Sequence, residues 1–145
     1  LAMELPENSE QGVNVLCSPH HMQQVLTNLV ANSIHYGHEG GKSTLKLENN
    51  GKTVKITVQD DGVGIAASDL TRIFERFYRV DKSRSRHAGG SGLGLAIVKH
   101  IIESHGQSID VSSEPGKGTS FSWSLVNFDW EAEIRNLSVN PAEGA

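Results

Sequence analysis

The chain has 145 residues, enough for one domain with its own core, and its 37% hydrophobic and 21% charged residues suit a soluble globular protein. A net charge of −4 argues against nucleic acid as a partner, and the longest apolar stretch, Leu93-Gly94-Leu95-Ala96-Ile97-Val98, is too short to span a bilayer. Residues 1–14 are acidic and polar and do not read as a secretory signal; the single cysteine, Cys17, excludes a disulfide within the chain, fits a reducing compartment and reads as a small buried hydrophobe at a strand end.

Val13-Asn14-Val15-Leu16 alternates and reads as a short strand. Ser18 then suits an N-cap and Pro19 the first helical position, where its fixed φ and absent N–H cost nothing. Met22, Val25, Leu26, Leu29 and Val30 recur at helical spacing, and Gly37 is a stop. Leu45 to Glu48 and Val54 to Val58 alternate with period two about Asn49-Asn50-Gly51, a hairpin pattern. Residues 68–77 read as a short helix capped by Ser68, with Leu70, Ile73, Phe74 and Phe77 on its apolar face. Residues 80–91 hold only Val80 and Ala88 as apolar side chains and read as a long flexible loop carrying the cations Lys82, Arg84 and Arg86. A second long helix is expected from about Gly92 to His105, and a closing hairpin from Ile109-Asp110-Val111 and Phe121 to Leu125 around Pro115-Gly116-Lys117-Gly118. After Val126 no pattern persists, so residues 1–126 are expected to form the domain and 127–145 a poorly ordered tail. Helices and strands mix without strict βαβ alternation, which implies an α+β two-layer sandwich, with three helices on one face of a mixed sheet.

Asn28 and Asn32 lie four apart on the first long helix, and His35 and Tyr36 follow on the same stripe. A polar stripe is ordinarily a solvent face. Asparagine is a poor helix former, however, and this stripe lacks the Lys and Glu that solvent faces use. A neutral amide oxygen is a suitable Mg²⁺ ligand where a triphosphate supplies the negative charge. Asp60-Asp61-Gly62-Val63-Gly64-Ile65 follows a strand; its glycines let the backbone approach a flat ligand, and Asp60 can accept a hydrogen bond from an exocyclic amine. Gly89-Gly90-Ser91-Gly92-Leu93-Gly94-Leu95 leads into the second helix, a junction that suits phosphate oxygens. It is not the dinucleotide fingerprint, because Ile97 stands where the third glycine belongs. Residues 37–43 imitate a P-loop but are one residue short and run into a strand.

The order of these pieces is more specific than any one of them. Asn28-Leu29-Val30-Ala31-Asn32-Ser33 resembles the N box of two-component sensor histidine kinases, and Asp60-x-Gly62-x-Gly64-Ile65 their first glycine box. Ile73-Phe74-Glu75-Arg76-Phe77-Tyr78-Arg79 is similar to the F box, while Gly90-x-Gly92-Leu93-Gly94-Leu95 and Gly116-Lys117-Gly118-Thr119 resemble the remaining glycine boxes. The resemblance covers roughly residues 13–126. It implies the Bergerat fold, a two-layer α/β sandwich with about three helices on one face of a mixed, mostly antiparallel sheet.

By that resemblance ATP and Mg²⁺ are the implied ligands. Asp60 would bind the adenine amino group, Tyr36 and Ile65 would flank the base, and Gly62, Gly64, Thr119 and His35 would belong to the nucleotide-binding set. Asn32 would be the chief Mg²⁺ ligand with Asn28 beside it, Arg79 would approach the γ-phosphate, and Gly90, Gly92 and Gly94 would form the hinge of a lid containing residues 82–87, with Ser91, Leu93 and Leu95 also binding the nucleotide. His35 stands where the family usually has a phosphate-contacting lysine. A neutral imidazole there would weaken phosphate binding near neutral pH, so affinity would rise as pH falls. No segment resembles the phosphoacceptor box, and His20, His21, His35, His38, His87, His100 and His105 all lie in the wrong context for it. The chain is therefore expected to be the catalytic half of a longer bacterial membrane sensor. It would act in the cytoplasm on a separate dimerisation and histidine-phosphoacceptor domain that feeds a response regulator receiver domain, and it would touch the membrane only through the parent protein. Clamp ATPases of the same fold use a glutamate base at the position of Asn28, so efficient hydrolysis is not expected.

Overall fold

The computed structural model describes residues 2–4, 12–80, 92–128 and 130–138. The elements in chain order are β1 (Ala2–Glu4), α1 (Pro19–His35), β2 (Ser43–Asn49), β3 (Thr53–Asp60), α2 (Ala67–Leu70), α3 (Gly94–Ser104), β4 (Asp110–Glu114), β5 (Gly118–Val126) and α4 (Trp130–Ser138). The strands form one sheet in the order β1-β2-β3-β5-β4. Only the β1–β2 pair is parallel, so the sheet is mixed and mostly antiparallel as the sequence implies.

Alternation along the strands decides which face takes the helices. Val54, Ile56 and Val58 of β3 and Phe121, Trp123 and Leu125 of β5 are buried on one side, and they meet Met22, Val25 and Leu29 of α1 and Val98, Ile101 and Ile102 of α3. Each wholly buried side chain of this kind contributes about 1.5–3 kcal/mol relative to exposure. α1 packs on α3 and on β2 and β3, and α2 packs on β4.

Pro19 occupies the first turn of α1, and Ser18 has the extended backbone of an N-cap, but its side chain makes no capping bond. The start of α1 is tied down differently. The Ser18 N–H donates to His105 Nε2 at 3.0 Å, while His105 Nδ1 lies 2.8 Å from the Ile101 carbonyl. One imidazole thus links the first residue before α1 to the last turn of α3.

Several boundaries differ from the sequence reading. The strand expected at residues 13–16 is reduced to one bridge, Val15 with Asn127, because the chain enters the α1 cap within three residues. Cys17 is half-buried and packs against the core edge rather than inside it. The helix expected over 68–77 is a single turn with Ala66, not Ser68, at its N-cap, and turns follow to Phe77. Phe77 cannot continue a helix, since its φ is +65°. α3 begins at Gly94, two residues later than expected. A helix, α4, lies within the segment 127–145 whose sequence shows no pattern, and β1 has no counterpart in the sequence pattern.

Candidate functional site

At the end of β3, in-register pairing sets four polar side chains side by side across the sheet. Ser43 pairs with Asp60, Asp60 with Thr119, and Thr119 with Ser113. The next rung on the same face is apolar: Leu45, Val58, Phe121 and Val111. The core therefore stops at one rung and hydrogen-bonding chemistry begins at the next.

Asp60 is 7% exposed, and its Oδ1 accepts the N–H of Gly62 at 2.9 Å and of Thr119 at 3.2 Å. Among the described residues none donates to Oδ2. Burial raises the Asp60 pKa above the ordinary carboxylate value, the two N–H donors oppose the rise, and the neighbouring Asp61 charge adds to it. Such a group is an acceptor for a ligand N–H, held in a desolvated position.

The loop after Asp60 is pressed between α1 and the β4–β5 hairpin. Val63 N–H donates to the Tyr36 carbonyl at 3.1 Å, Gly116 N–H to the Val63 carbonyl at 2.8 Å, and Ile65 N–H to Ser113 Oγ at 2.7 Å. Two positions require glycine. A Cβ on Gly62 would lie 2.2 Å from the Tyr36 carbonyl oxygen. Gly64 has φ +72°, and a Cβ there would lie 2.2 Å from the Glu114 carbonyl oxygen.

This loop forms one wall of a cavity of about 390 Å³. Asn32 and Tyr36 from α1, Val63, Gly64 and Ile65 from the loop, Ile73, Tyr78, Arg79 and Val80, and Leu95 from α3 line it. Six residues picked out from sequence, Asn32, Tyr36, Gly64, Ile65, Arg79 and Leu95, thus meet around one space. Asp60, which holds Gly62 of the same loop, and its cross-strand partner Thr119 are not among the lining residues. His35 is not among them either; its ring packs edge-on against Tyr36, with centroids 4.7 Å apart. Asn28 sits one turn before Asn32 and its Nδ2 reaches the Gly94 carbonyl at 3.5 Å, which leaves its Oδ1 for a cation. Gly92 closes on the segment after α2, where the Phe77 N–H donates to the Gly92 carbonyl at 2.9 Å, and Leu93 caps α3. Gly90, Ser91 and residues 82–87 lie outside the described residues.

Tyr78 and Ser113 escaped the sequence reading. The Tyr78 hydroxyl donates to Asp69, and the Arg72 guanidinium lies 4.4 Å over its ring, anchoring the wall that carries Arg79. Ser113 looks like an ordinary residue near a turn, and only the strand register shows what it touches. Among the described residues no three His, Cys, Asp or Glu side chains gather as a metal site, and no helix is long and apolar enough to cross a membrane. A cation here would rest on the amide oxygens of Asn32 and Asn28 and on a ligand's own oxygens, a donor set that Mg²⁺ accepts.

The family model describing histidine kinase-, DNA gyrase B-, and HSP90-like ATPases matches residues 17–127. The sensor-like histidine kinase SenX3 of Mycolicibacterium smegmatis is 40% identical over 126 residues, which cover 87% of this chain and 33% of that protein. The sensor histidine kinase WalK of Bacillus subtilis is 44% identical over 104 residues, 70% of this chain and 17% of that protein. The chain thus spans a third or less of these relatives. Among solved structures, a nucleotide-free catalytic domain of histidine kinase ThkA superposes with a TM-score of 0.71 at 28% identity, covering 86% of this chain and 76% of that one. Full-length ShkA in complex with AMPPNP superposes with a TM-score of 0.72 at 28% identity, covering 88% and 26%.

Proposed function

We propose a phosphodonor function for this chain from one premise: it belongs to the family of histidine kinase-, DNA gyrase B-, and HSP90-like ATPases. It binds Mg-ATP in the cavity and presents the γ-phosphoryl group to a histidine on a separate dimerisation and phosphoacceptor domain, from which a response regulator receives it. The observation that carries this reading is the convergence of Asn32, Tyr36, Gly64, Ile65 and Arg79 on one cavity beside the buried carboxylate of Asp60.

Each group has a role that its chemistry allows. Asp60 accepts a hydrogen bond from the adenine amine, and Tyr36 and Ile65 flank the base. Asn32, with Asn28 beside it, holds the metal, which when bound neutralises phosphate charge. Arg79 pairs with the phosphate that is transferred, so this chain contributes positioning and charge neutralisation. The histidine nitrogen and any group that assists its attack belong to the acceptor domain. The lid that the resemblance implies, residues 82–87 with the cations Lys82, Arg84 and Arg86, lies outside the described residues. In the cell the chain works on the cytoplasmic side of a bacterial membrane sensor, anchored only through the rest of that protein.

The test adds a purified sensor-kinase phosphoacceptor domain and γ-labelled ATP to this chain. Label on the acceptor histidine, absent when Asp60 is replaced by Asn, is the expected result. Tight binding with no transfer to any acceptor domain would reduce the chain to a nucleotide-binding module. The clamp-ATPase alternative predicts steady release of free phosphate; Asn28 offers an amide, which cannot take a proton from water, so such release is expected to be negligible.

A further inference from the structure

We infer that Ser113 is a positioning residue for base selection: its hydroxyl fixes the direction of the Thr119 hydroxyl and thereby favours a 6-amino over a 6-oxo purine. The inference rests on the adenine-nucleotide reading above and adds to it a residue on β4.

Ser113 Oγ has three neighbours at hydrogen-bond distance. They are the Ile65 N–H at 2.7 Å, the Gly118 carbonyl at 2.9 Å and Thr119 Oγ1 at 2.8 Å. A serine hydroxyl carries one hydrogen and two lone pairs. The Ile65 N–H can only donate, so it takes one lone pair. The Gly118 carbonyl can only accept, so it takes the hydrogen. What remains for Thr119 is the second lone pair, and the Thr119 hydroxyl must therefore supply its own hydrogen to Ser113. Thr119 is 6% exposed, so no solvent competes for that hydrogen.

The consequence reaches the neighbouring rung position. With its hydrogen committed, Thr119 Oγ1 offers only lone pairs to anything bound beside it. Asp60, its cross-strand partner, already accepts two backbone N–H groups at Oδ1, and as a carboxylate it offers only lone pairs. Both side chains are then acceptors, and a ligand edge there must donate. At position 6 an amino purine brings two hydrogens; a 6-oxo purine brings an oxygen there and keeps one hydrogen, on N1, so one of the two acceptors is left facing an oxygen. Sites built this way discriminate strongly against the mismatched analogue, because buried polar groups are left unpaired. Ser113 also holds Ile65, so it joins the loop that walls the cavity to the strands that carry the acceptors.

A merely structural serine would weaken all ligands alike, and the experiment separates the two roles by a ratio. Calorimetry on the 145-residue chain compares adenosine diphosphate with inosine diphosphate for wild type, Ser113→Ala and Ser113→Thr. Wild type is expected to prefer the adenosine form. In Ser113→Ala the Thr119 hydroxyl is free to turn and donate to a 6-oxo group, so the preference falls about tenfold, whereas Ser113→Thr keeps the hydroxyl and the preference. A folded Ser113→Ala that loses affinity for both diphosphates in equal proportion overturns the assignment. Should that variant not fold, Thr119→Val reads the same pair from its other end, and an unchanged preference there overturns it equally. A wild-type chain that binds neither diphosphate overturns the nucleotide reading itself, and with it this one.

Discussion

Asp60 performs two tasks that a pair of substitutions can separate. Its Oδ1 closes off two buried backbone donors, Gly62 N–H and Thr119 N–H, and its charge is the proposed acceptor for the base. Asp60→Ala strands both donors. At about 1–3 kcal/mol for each unsatisfied group the loss is about 2–6 kcal/mol, a large part of the roughly 5–15 kcal/mol that holds a domain folded. Asp60→Asn keeps one carbonyl oxygen for the two N–H groups but removes the charge and turns an amide N–H₂ toward the ligand. Loss of a hydrogen bond to a charged acceptor is about 1.5–3 kcal/mol, which is about 10- to 150-fold in Kd, and the opposed donors push toward the upper figure. The stability arm has a definite sign. Burial raises the Asp60 pKa in the folded chain, so its favourable contribution is complete below the ordinary carboxylate value and lost as pH rises through the folded value. At pH 7 the nucleotide-free Asn variant should therefore match or exceed wild type in Tm, while the Ala variant falls well below it. Calorimetric titration with adenosine diphosphate and thermal melts at pH 7 give both readings. An Asn variant that binds within twofold of wild type would refute the role of the charge. An Ala variant with unchanged Tm would refute the accounting for the two N–H groups.

Other outcomes follow from the same geometry. Nucleotide affinity should weaken as pH falls through the elevated Asp60 pKa, at a higher pH than an ordinary carboxylate would set, and Asp60→Asn should flatten that acid limb. Asn32→Ala should leave affinity for an ATP analogue in EDTA unchanged and abolish the gain from Mg²⁺, measured by titration with and without the metal. His35→Lys puts a permanent cation where the resemblance places a phosphate contact, so it should tighten Mg-ATP binding in calorimetric titration; unchanged affinity would exclude a phosphate contact at that position. Gly64→Ala forces a side chain to φ +72° and a Cβ to 2.2 Å from a backbone oxygen. The conformational part alone is about 1–2 kcal/mol, and displacement of the hairpin should carry the loss past about 3 kcal/mol in urea unfolding.

What could be read from the sequence was whatever is local. Periodicity located α1, the β2–β3 hairpin, α3 and the β4–β5 hairpin, because each buries a face whose spacing is written in consecutive residues. The N-terminal strand Ala2–Glu4 is invisible to that logic: it is a strand because β2 offers it a parallel edge forty residues later. The helix at 68–77 was over-read since Leu70, Ile73, Phe74 and Phe77 have helical spacing, yet Phe77 takes a left-handed φ and the turns before it replace the helix. The site divides in the same way. Asp60 and the glycines declare themselves by composition. Ser113 does not, because its meaning lies in contacts 48 residues away at Ile65 and six at Thr119.

The sheet register explains why this end of the molecule, and not the other, carries the chemistry. Across β2, β3, β5 and β4 the helix-facing rung changes within one step from Leu45, Val58, Phe121 and Val111 to Ser43, Asp60, Thr119 and Ser113. The change places a carboxyl group against the top of the apolar core, where desolvation disfavours its charged form and raises its pKa. The glycine loop offsets this by folding its own backbone N–H back onto the carboxylate, and α1 and the hairpin hold that loop through Tyr36 and Glu114 at distances no side chain could share. A carboxylate secured in this way is raised in pKa yet still an acceptor, and it stands beside a hydroxyl whose hydrogen is already committed. On the proposed reading, selection of a donor-bearing base edge is then the work of one rung of the sheet. The same reading leaves the α1 stripe and Arg79 to act on the phosphates, and separate elements address the two ends of the nucleotide.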